Sequence, residues 1–590
     1  MRARPQRGDG GAPPAVTWRL SALVQDLDEP DASVRERAAR ELGLDPGELR
    51  GFRFARRSID ARRKRGGIHF VCQVDLVVEG ARRTPRMARL MREGRVREAP
   101  AVGSLAAAPT GRAGGGDRRR PEVVVLGAGP GGLFAALAAA LSGAAVTLIE
   151  RGAPIETRGK KLVAFHRGAA PDPDTNLLFG EGGAGTYSDG KVYTRVDDPL
   201  EVPILEELVA AGAPPEIVFD ARAHIGTDKL HRILPRLRAR MEAAGVRFHF
   251  DTRAEGLVVA DGPDGRKRVR AVRTSAGALP CDALVVAVGH SARDTWAWLA
   301  RDGVVFEAKP FQLGVRVEHP QALVTAGRYG EGPEAALLGP ASYNLRAQAD
   351  THGAAGSGAG AHSFCMCPGG RIVASVNEPG QLCTNGMSNS KHSSRYANAA
   401  VVTTLTPDVF DACGLDLAQF RGDVASPGGA ALRADLAGPG GVDPFAGVAL
   451  QRALEARFFA AGGGTYAAPA QRVPDFLAGR LSPGPFATSY GFGAVPGRID
   501  DLLPPVVTRA LRHALSAFER QLAGFAGPEG LLVGVETRSS GPVRAPRDRA
   551  TRLARGFANL FPIGEGAGHA GGITSAAIDG AHAGQSAVLL

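Results

Sequence analysis

Residues 122–150, EVVVLGAGPGGLFAALAAALSGAAVTLIE, contain the pattern that decides the fold. The apolar run at its start is typical of a buried strand, and the Ala- and Leu-rich stretch 129–143 predicts a helix that ends at Gly143. Residues 144–150 have the composition of a second buried strand. Two buried strands joined by a helix predict a βαβ unit in a parallel sheet.

Three glycines at the junction of the first strand and the helix have the spacing of a dinucleotide-binding loop, Gly127-x-Gly129-x-x-Gly132. Gly127 allows the tight turn, Gly129 lets the backbone approach a pyrophosphate, and Gly132 lets helix and strand pack closely. The helix N-terminus offers free N–H groups to phosphates, and Glu150 would accept hydrogen bonds from the adenosine ribose. The flanking residues of the predicted site are Ala128, Pro130, Gly131 and Arg151.

The C-terminal segment favours FAD over NAD as the nucleotide. Gly564 and Glu565 end an apolar strand, and Gly571, Gly572 and Ile573 open the last helix. In flavoproteins of such a fold, an acidic residue at this strand end binds the ribityl chain, and the helix N-terminus stabilises negative charge on the reduced flavin. A further strand, 283–289, ends at Gly289, which we also expect beside the cofactor.

A glycine-rich loop at 180–186 is long enough to pass close to the cofactor. Its expected cofactor contacts are Gly182, Gly183, Gly185 and Thr186, and Ser188, Asp189 and Lys191 would follow the loop into the site. An ordinary wide turn is the structural alternative.

Seven segments along the chain resemble those of a family of uncharacterised FAD-dependent dehydrogenases with a small N-terminal domain ahead of a glutathione-reductase-like flavin fold. The segments are 178–191, 224–230, 364–370, 384–390, 488–493, 536–544 and 564–580. The resemblance implies FAD as the cofactor and does not identify a substrate, and we expect the FAD to be bound non-covalently. The chain departs from the family pattern at 347–363, a Gly- and Ala-rich insertion that we expect to be a surface loop.

The predicted fold class is α/β, with an FAD-binding Rossmann-like domain of the glutathione-reductase type interrupted by an inserted α+β substrate or cap domain. The FAD-binding domain comprises 121–305 and the closing segment 551–590, and the inserted domain comprises 306–550. A small basic α/β domain at 1–105 and a linker at 106–120 precede them. In the small domain, the patterns predict strands at 16–24, 52–63 and 68–78 and a helix at 31–44.

Positive charge is concentrated in the first 120 residues. They hold 26 Lys and Arg against 15 Asp and Glu, which accounts for the whole net charge of +11. Such a domain could bind polyanions, with the basic turn Arg62–Arg65 as the contact. Arginine on solvated faces explains the charge equally simply, and the domain lacks adjacent aromatic residues for base stacking.

The remaining polar candidates have open roles. Cys365 and Cys367 form a CxC, which fits a redox dithiol, a metal site, or packing beside the flavin, and no paired CxxC predicts zinc. His290 and His569 lie beside cofactor motifs and are candidate proton donors. Candidate substrate-binding groups are Arg316, Tyr343, Arg346 and Arg538.

These patterns predict an FAD-dependent oxidoreductase that transfers a hydride or electrons between flavin and an unidentified small organic substrate. A flavoprotein acting on RNA through the basic domain, and a non-catalytic flavin-binding protein, are the alternatives. A second GxGxxG unit and a CxxxxC beside the fingerprint are both missing, so NAD(P)H docking transiently, the substrate, or a partner protein would supply electrons. The absence of a long apolar run and of a secretory signal predicts a cytoplasmic protein without a membrane span. The oligomeric state is not indicated.

Overall fold

The computed structural model describes residues 16–62, 67–78, 83–107, 119–348, 360–410, 413–415, 417 and 443–590. They form two compact units. The first consists of Met1–Val102, Pro215–Ala223 and Gly332–Leu337, and the second of the remaining residues. Most of the predicted linker (108–118), three residues of the basic turn (63–65) and the middle of the predicted insertion (349–359) lie outside the described residues.

The first unit is built on an antiparallel sheet. Its strands, in spatial order, are Leu49–Asp60, His69–Val78, Val16–Gln25 and Val96–Glu98, and its helices include Asp31–Leu42, Pro85–Arg92 and most of Pro333–Leu338. The core is apolar and contains one buried carboxylate, Asp75, which pairs with Arg19 and Arg53 at 2.7 and 2.9 Å. The sequence did not predict Pro85–Arg92 and Val96–Glu98, because both are short and rich in arginine.

The second unit contains the parallel sheet that the βαβ pattern predicts. Its described strands, in spatial order, are Leu560–Pro562, Ala283–Val286, Glu122–Leu126, Ala145–Ile149 and Val246–His249. The helices of this part are Pro130–Leu141, Ile155–His166, Glu201–Ala210, Thr227–Ala243, Arg293–Arg301 and Ile573–Val588. The predicted fold class, α/β with a Rossmann-like sheet, is therefore confirmed.

A larger sheet, mostly antiparallel, makes up the other part of the second unit. Its strands, in spatial order, are Arg346–Ala347, Ala361–Cys367, Tyr396–Leu405, Phe311–Pro320, Leu531–Glu536, Ala468–Arg472 and Ala494–Pro496. In the smaller sheets, Lys267–Thr274 lies between Gly277–Pro280 and Ala254–Asp261, Glu307–Ala308 pairs with Val543–Arg544, and Arg371–Ala374 pairs with Thr384–Met387. The helices are Gln321–Tyr329, Ala446–Ala461, Val473–Ala478, Ile499–Leu502 and Pro505–Glu519.

The prediction of a surface loop at 347–363 is wrong in part, and the predicted domain boundaries are not tested. The sequence predicts a surface loop at 347–363, but Ala347 and Ala361 to Ser363 belong to paired strands, and 349–359 lie outside the described residues. The domain boundaries near 305 and 550 stay predictions. None of the helices in the described residues is long and apolar enough to cross a membrane.

The first and last helices of the Rossmann-like part touch through their backbones. A Cβ at Gly580 would lie 2.0 Å from the carbonyl oxygen of Gly131, and one at Gly584 would lie 2.2 Å from that of Ala135. Neither backbone oxygen can move without bending its helix. Only glycine therefore fits at these two positions of Ile573–Val588.

We expect Gly580→Ala to destabilise the second unit by about 1–3 kcal/mol, because the added methyl group overpacks a backbone contact. Urea unfolding measures the change. Gly159→Ala is the matched control, since it also lies within a helix but a Cβ there meets only the Tyr187 hydroxyl at 3.9 Å. The free energy of unfolding of this control should rise by about 0.5–1 kcal/mol, because alanine lowers the backbone entropy of the unfolded chain. Equal stability of Gly580→Ala and wild type would contradict the close helix contact.

Candidate functional site

A cavity of about 710 Å³ runs through the second unit, from the carboxyl ends of the parallel strands to the larger sheet. Most of the predicted cofactor residues line it: Gly127, Gly129, Pro130, Gly131, Glu150, Arg151, Gly183, Gly185, Gly289, Gly564, Glu565, Gly571, Gly572 and Ile573. Four predicted residues are not among its described lining: Ala128, Gly132, Gly182 and Thr186. Crevices at the carboxyl ends of parallel strands are the usual ligand sites of this architecture.

The fingerprint glycines are required by packing as well as by the cavity. Gly127 has φ of +99°, and a Cβ there would lie 2.5 Å from the carbonyl oxygen of Ala287. A Cβ at Gly132 would lie 1.8 Å from the carbonyl oxygen of Gly127. Gly132 therefore does what the motif predicts, since it lets the helix approach the turn, and it has no place on the cavity wall.

Glu150 is buried and binds three backbone N–H groups. Its Oε2 accepts from Ala128 at 2.8 Å, and its Oε1 accepts from Gly152 at 2.9 Å and from Gly180 at 3.0 Å. The carboxylate thereby joins the fingerprint turn to the glycine-rich loop. A role in binding the ribose stays a prediction, and the contacts present in the structure show that Glu150 also holds the site together.

The glycine-rich loop is anchored by Arg158, which no motif in the sequence indicates. Arg158 is fully buried and donates to the carbonyl oxygens of Asn176, Leu177 and Glu181 at 2.6–3.0 Å. Burial lowers its pKa to about 10, so the guanidinium remains charged at neutral pH. Thr186, the last residue of the loop, is buried and donates to the Glu181 carbonyl oxygen at 3.2 Å, and it is not in the described lining.

At the C-terminal motif, Glu565 lines the cavity and accepts a hydrogen bond from the Gly541 N–H at 3.0 Å. Burial raises the pKa of Glu565. The helix Ile573–Val588 has Gly572 as its N-cap residue, and no side chain caps it. Its first N–H groups therefore lie unpaired at the cavity wall, which the residues of its first turn line.

The two candidate histidines are placed differently. His290 lines the cavity, and its buried Nε2 has no hydrogen-bond partner among the described residues. Burial, together with the charges of Arg538 and Arg293, lowers its pKa to about 3, so the ring is neutral at pH 7. His569 instead hydrogen-bonds the Ala545 carbonyl oxygen at 2.9 Å and is not part of the described lining.

Only two of the four candidate substrate-binding groups lie on the described cavity wall. Arg346 and Arg538 line the cavity, whereas Arg316 and Tyr343 are buried and are not in its described lining. Arg316 pairs with Glu536 at 2.5 Å and donates to Asn385 and Asn398 at 2.7 and 3.1 Å. It supports the larger sheet at this end of the cavity.

Arg538 reaches the cavity wall from a buried ion cluster. Both Arg538 and Arg293 form paired hydrogen bonds with the carboxylate of Glu455, at 2.8–3.1 Å. Glu455 has no exposed surface, and the two guanidinium groups hold its pKa well below the ordinary range. One carboxylate thus neutralises part of the charge of two arginines, so Arg538 is positioned by Glu455.

The far end of the cavity has polar groups from several strands. Ser188, Asp189 and Lys191 line it as predicted for the segment after the loop, and Asp189 pairs with Lys191 at 2.5 Å. The residues that sequence reasoning missed here are Ser291, Gln312, His362, Asn385 and Glu536. These residues belong to segments that are separated by long stretches of chain, so only the folded structure brings them together.

Because Glu150 satisfies three buried donors, Glu150→Ala should destabilise the cofactor-free protein as well as weaken FAD binding. Each buried N–H that loses its acceptor costs roughly 1–3 kcal/mol. Urea unfolding of the apoprotein measures this loss. Glu156→Ala, at a half-exposed carboxylate in the following helix, is the control and should change stability by less than about 0.5 kcal/mol. An apoprotein of wild-type stability would show that Glu150 acts on the ligand alone.

Glu455→Gln should lower the free energy of unfolding by about 3–5 kcal/mol, because it leaves two buried guanidinium groups without a counter-charge. The folded-state pKa of Glu455 is depressed, so its contribution is present above the ordinary value of 4.5 and is lost as the pH falls below it. Unfolding in urea at about pH 7 and about pH 4 should therefore show a smaller difference between variant and wild type in acid. Glu378→Gln is the control, since Glu378 pairs with Arg293 at 3.4 Å but is partly exposed. An equal loss in both variants would contradict the assigned role of Glu455.

Comparisons with known proteins agree with this architecture. Residues 310–539 match the family model "FAD-dependent protein, C-terminal domain-like", and residues 19–77 match a domain of unknown function. An uncharacterized protein of Clostridium beijerinckii is 32% identical over 573 residues, which cover 95% of this chain and 97% of the relative.

Similar solved structures include CtdE in complex with FAD and the GidA-related protein from Thermus thermophilus. The first match has 9% identity, covers 78% of this chain and 83% of the other, and has a TM-score of 0.27. The second has 15% identity, covers 33% and 73%, and has a TM-score of 0.21. The fold assignment therefore depends on the strand order described above. On the family model and the nearly full-length relative, the chain belongs to the family of FAD-dependent proteins defined by this C-terminal domain.

Proposed function

We propose that the chain is an oxidoreductase that binds FAD non-covalently along the cavity and exchanges a hydride or electrons with a small organic substrate at the far end. The observation that carries the proposal is the continuity of the cavity. It joins the fingerprint glycines and Glu150 at one end to the start of the helix Ile573–Val588 and to the polar groups of the larger sheet.

The cavity fits a flavin dinucleotide in size and in the shape of its wall. A volume of about 710 Å³ lies in the range of pockets for small-molecule ligands and cofactors. Glycines line the wall where a nucleotide backbone would pass. A Cβ at Gly129 would meet only Gly183, at 4.0 Å, so the absence of a side chain there leaves open space rather than filling a packing need.

Buried polar atoms without partners support the same assignment. His290 Nε2 and Ser291 Oγ are buried, belong to residues on the cavity wall and have no hydrogen-bond partner among the described residues. Buried polar groups in native proteins are normally paired. A ligand with several donors and acceptors, such as an isoalloxazine and ribityl chain, would satisfy them.

When bound, FAD supplies a ring system that accepts or donates a hydride. The residues of the chain would hold it and control charge near it. Neutral His290 can donate or accept one hydrogen bond at Nε2 without adding a cation. The uncapped N-terminus of Ile573–Val588 would stabilise negative charge. Glu565, whose pKa is raised by burial, faces this region beside Gly571.

The electron donor is part of the proposal. We infer that NAD(P)H docking transiently, the substrate itself, or a partner protein reduces the cofactor. Anaerobic mixing of the purified protein with NADH, NADPH and a metabolite collection, followed by flavin absorbance, distinguishes these donors. If neither nicotinamide and no metabolite bleaches the flavin, the reductant is a partner protein or the chain is a flavin-binding protein without turnover.

The purified protein should be yellow, with one FAD per chain that acid precipitation releases into the supernatant. Gly129→Asp should reduce FAD affinity at least about tenfold, since the new carboxylate enters the cavity and repels the pyrophosphate. Gly129→Asn, whose side chain has the same size but no charge, should lose less FAD affinity than Gly129→Asp. Circular dichroism and urea midpoints check that both variants fold. A Gly129→Asp protein with wild-type flavin content would refute the placement of the cofactor.

A further inference from the structure

Cys365 and Cys367 lie at the far end of the cavity and have no role in the function proposed above. Cys365 is half-buried and lines the cavity, whereas Cys367 is fully buried. Both belong to the strand Ala361–Cys367, whose pairing with Tyr396–Leu405 shifts register between Phe364 and Cys367. Cys365 has φ of +45°, a region that non-glycine residues adopt at a cost of roughly 1–3 kcal/mol.

The shifted backbone turns the Cys367 side chain back toward Cys365. The Cys367 thiol donates to the carbonyl oxygen of Cys365, with 3.3 Å between Sγ and the oxygen. The pair therefore has one sulfur facing the cavity and one directly behind it.

Two cations, each paired with a carboxylate, lie near Cys365. Arg316 donates to the Cys365 carbonyl oxygen at 3.1 Å. Lys191 lines the cavity beside it, and its buried ammonium makes an ion pair with Asp189 but finds no well-aligned hydrogen-bond acceptor among the described residues. Such an electropositive, partly exposed setting is typical of reactive cysteines.

The pKa values of the two thiols are shifted in opposite directions by their surroundings. The hydrogen bond from Cys367, with the charges of Lys191 and Arg316, holds the pKa of Cys365 well below its ordinary value, against the opposing effects of burial and Asp189. The pKa of Cys367 is raised by the shared hydrogen bond and by burial. Cys72, Cys281 and Cys383 differ, because burial raises their pKa values to about 11, 12 and 11.

We propose that Cys365 and Cys367 form a redox-active dithiol that reduces a small disulfide at the far end of the cavity, with Cys365 attacking and Cys367 resolving. The Cys365 thiolate attacks one sulfur of the external disulfide, whose S–S bond breaks and releases a first thiolate. Cys367 then gives up its proton and attacks the Cys365 sulfur, forming the Cys365–Cys367 disulfide and releasing the second product as a thiol. The external disulfide gains two electrons and the protein dithiol loses two.

The dithiol is regenerated when the Cys365–Cys367 disulfide takes up a hydride equivalent, two electrons and one proton, to give the Cys365 thiolate and the Cys367 thiol. Only this return step rests on the proposed function, with reduced FAD as the source. The thiol exchange itself needs no flavin. Failure of either part can therefore be detected separately.

The thiol chemistry is tested on the cofactor-free full chain. We expect glutathione disulfide to convert wild type into a form with a Cys365–Cys367 link, detected by peptide mass spectrometry after alkylation of free thiols. Cys367→Ser should instead accumulate glutathione on Cys365, and Cys365→Ser should show neither product. Cys281→Ser, at a buried thiol in the parallel-sheet region, should behave as wild type. Two free, unmodified cysteines at 365 and 367 in wild type would overturn the proposal.

Alkylation of the reduced protein gives a second readout that does not depend on folding of the Cys367 variant. At about pH 6, iodoacetamide should label Cys365 at least about tenfold faster than Cys281, because only a thiolate reacts. The groups that set this rate are Cys367, Lys191, Arg316, Asp189 and Glu536. Lys191→Met should slow labelling of Cys365 and leave that of Cys281 unchanged. Equal rates at the two cysteines would contradict the thiolate assignment.

The return step is tested on the FAD-bound protein. Anaerobic titration of oxidised wild type with dithionite should take up about four electrons per chain, two for the disulfide and two for the flavin, against about two in Cys365→Ser. A wild type that takes up only two electrons, with the disulfide intact by mass spectrometry, would show that the dithiol and the flavin do not communicate.

Discussion

The carboxylate of Glu150 is the interaction on which the rest of the site depends. Three backbone N–H groups from separate parts of the chain, at Ala128, Gly152 and Gly180, converge on its two oxygens in a buried position. Without an acceptor, each of these donors would be buried and unsatisfied. The turn of the fingerprint, the end of the second parallel strand and the start of the glycine-rich loop are thus held in register by one side chain.

Much of the Rossmann-like part could be predicted, because its determinants are local. The apolar strands and the spacing of Gly127, Gly129 and Gly132 are local sequence patterns with a direct steric meaning. Glu150 was selected for its position at the end of a strand, and its position is as expected. Its three backbone contacts were not foreseen, since two of the donors belong to segments that the motif does not include.

The sequence indicated neither the importance of Arg158 nor the buried ion pair of Arg316, because the surroundings of both residues come from distant segments. Arg158 lies in a helix rich in charged residues, where an arginine normally extends into solvent, and only the carbonyl oxygens of 176–181 explain its complete burial. Arg316 alternates with apolar residues in its strand, which suggests a solvent-facing side, yet Glu536 of the neighbouring strand neutralises it inside the protein. Such pairings are decided by sheet order, which periodicity does not reveal.

The strand order of the parallel sheet also constrains how the protein is made. Ala283–Val286 is bordered on one side by Glu122–Leu126 and on the other by Leu560–Pro562, which is synthesised more than two hundred residues later. The helix that packs on Pro130–Leu141 comes later still. During translation, the edge of Ala283–Val286 stays unpaired and the helix Pro130–Leu141 stays uncovered while the residues of the larger sheet are synthesised. Contacts of such long sequence separation form slowly. The nascent chain consequently exposes apolar surface for most of its synthesis, a condition that favours aggregation and that follows from topology rather than from the stability of the finished protein.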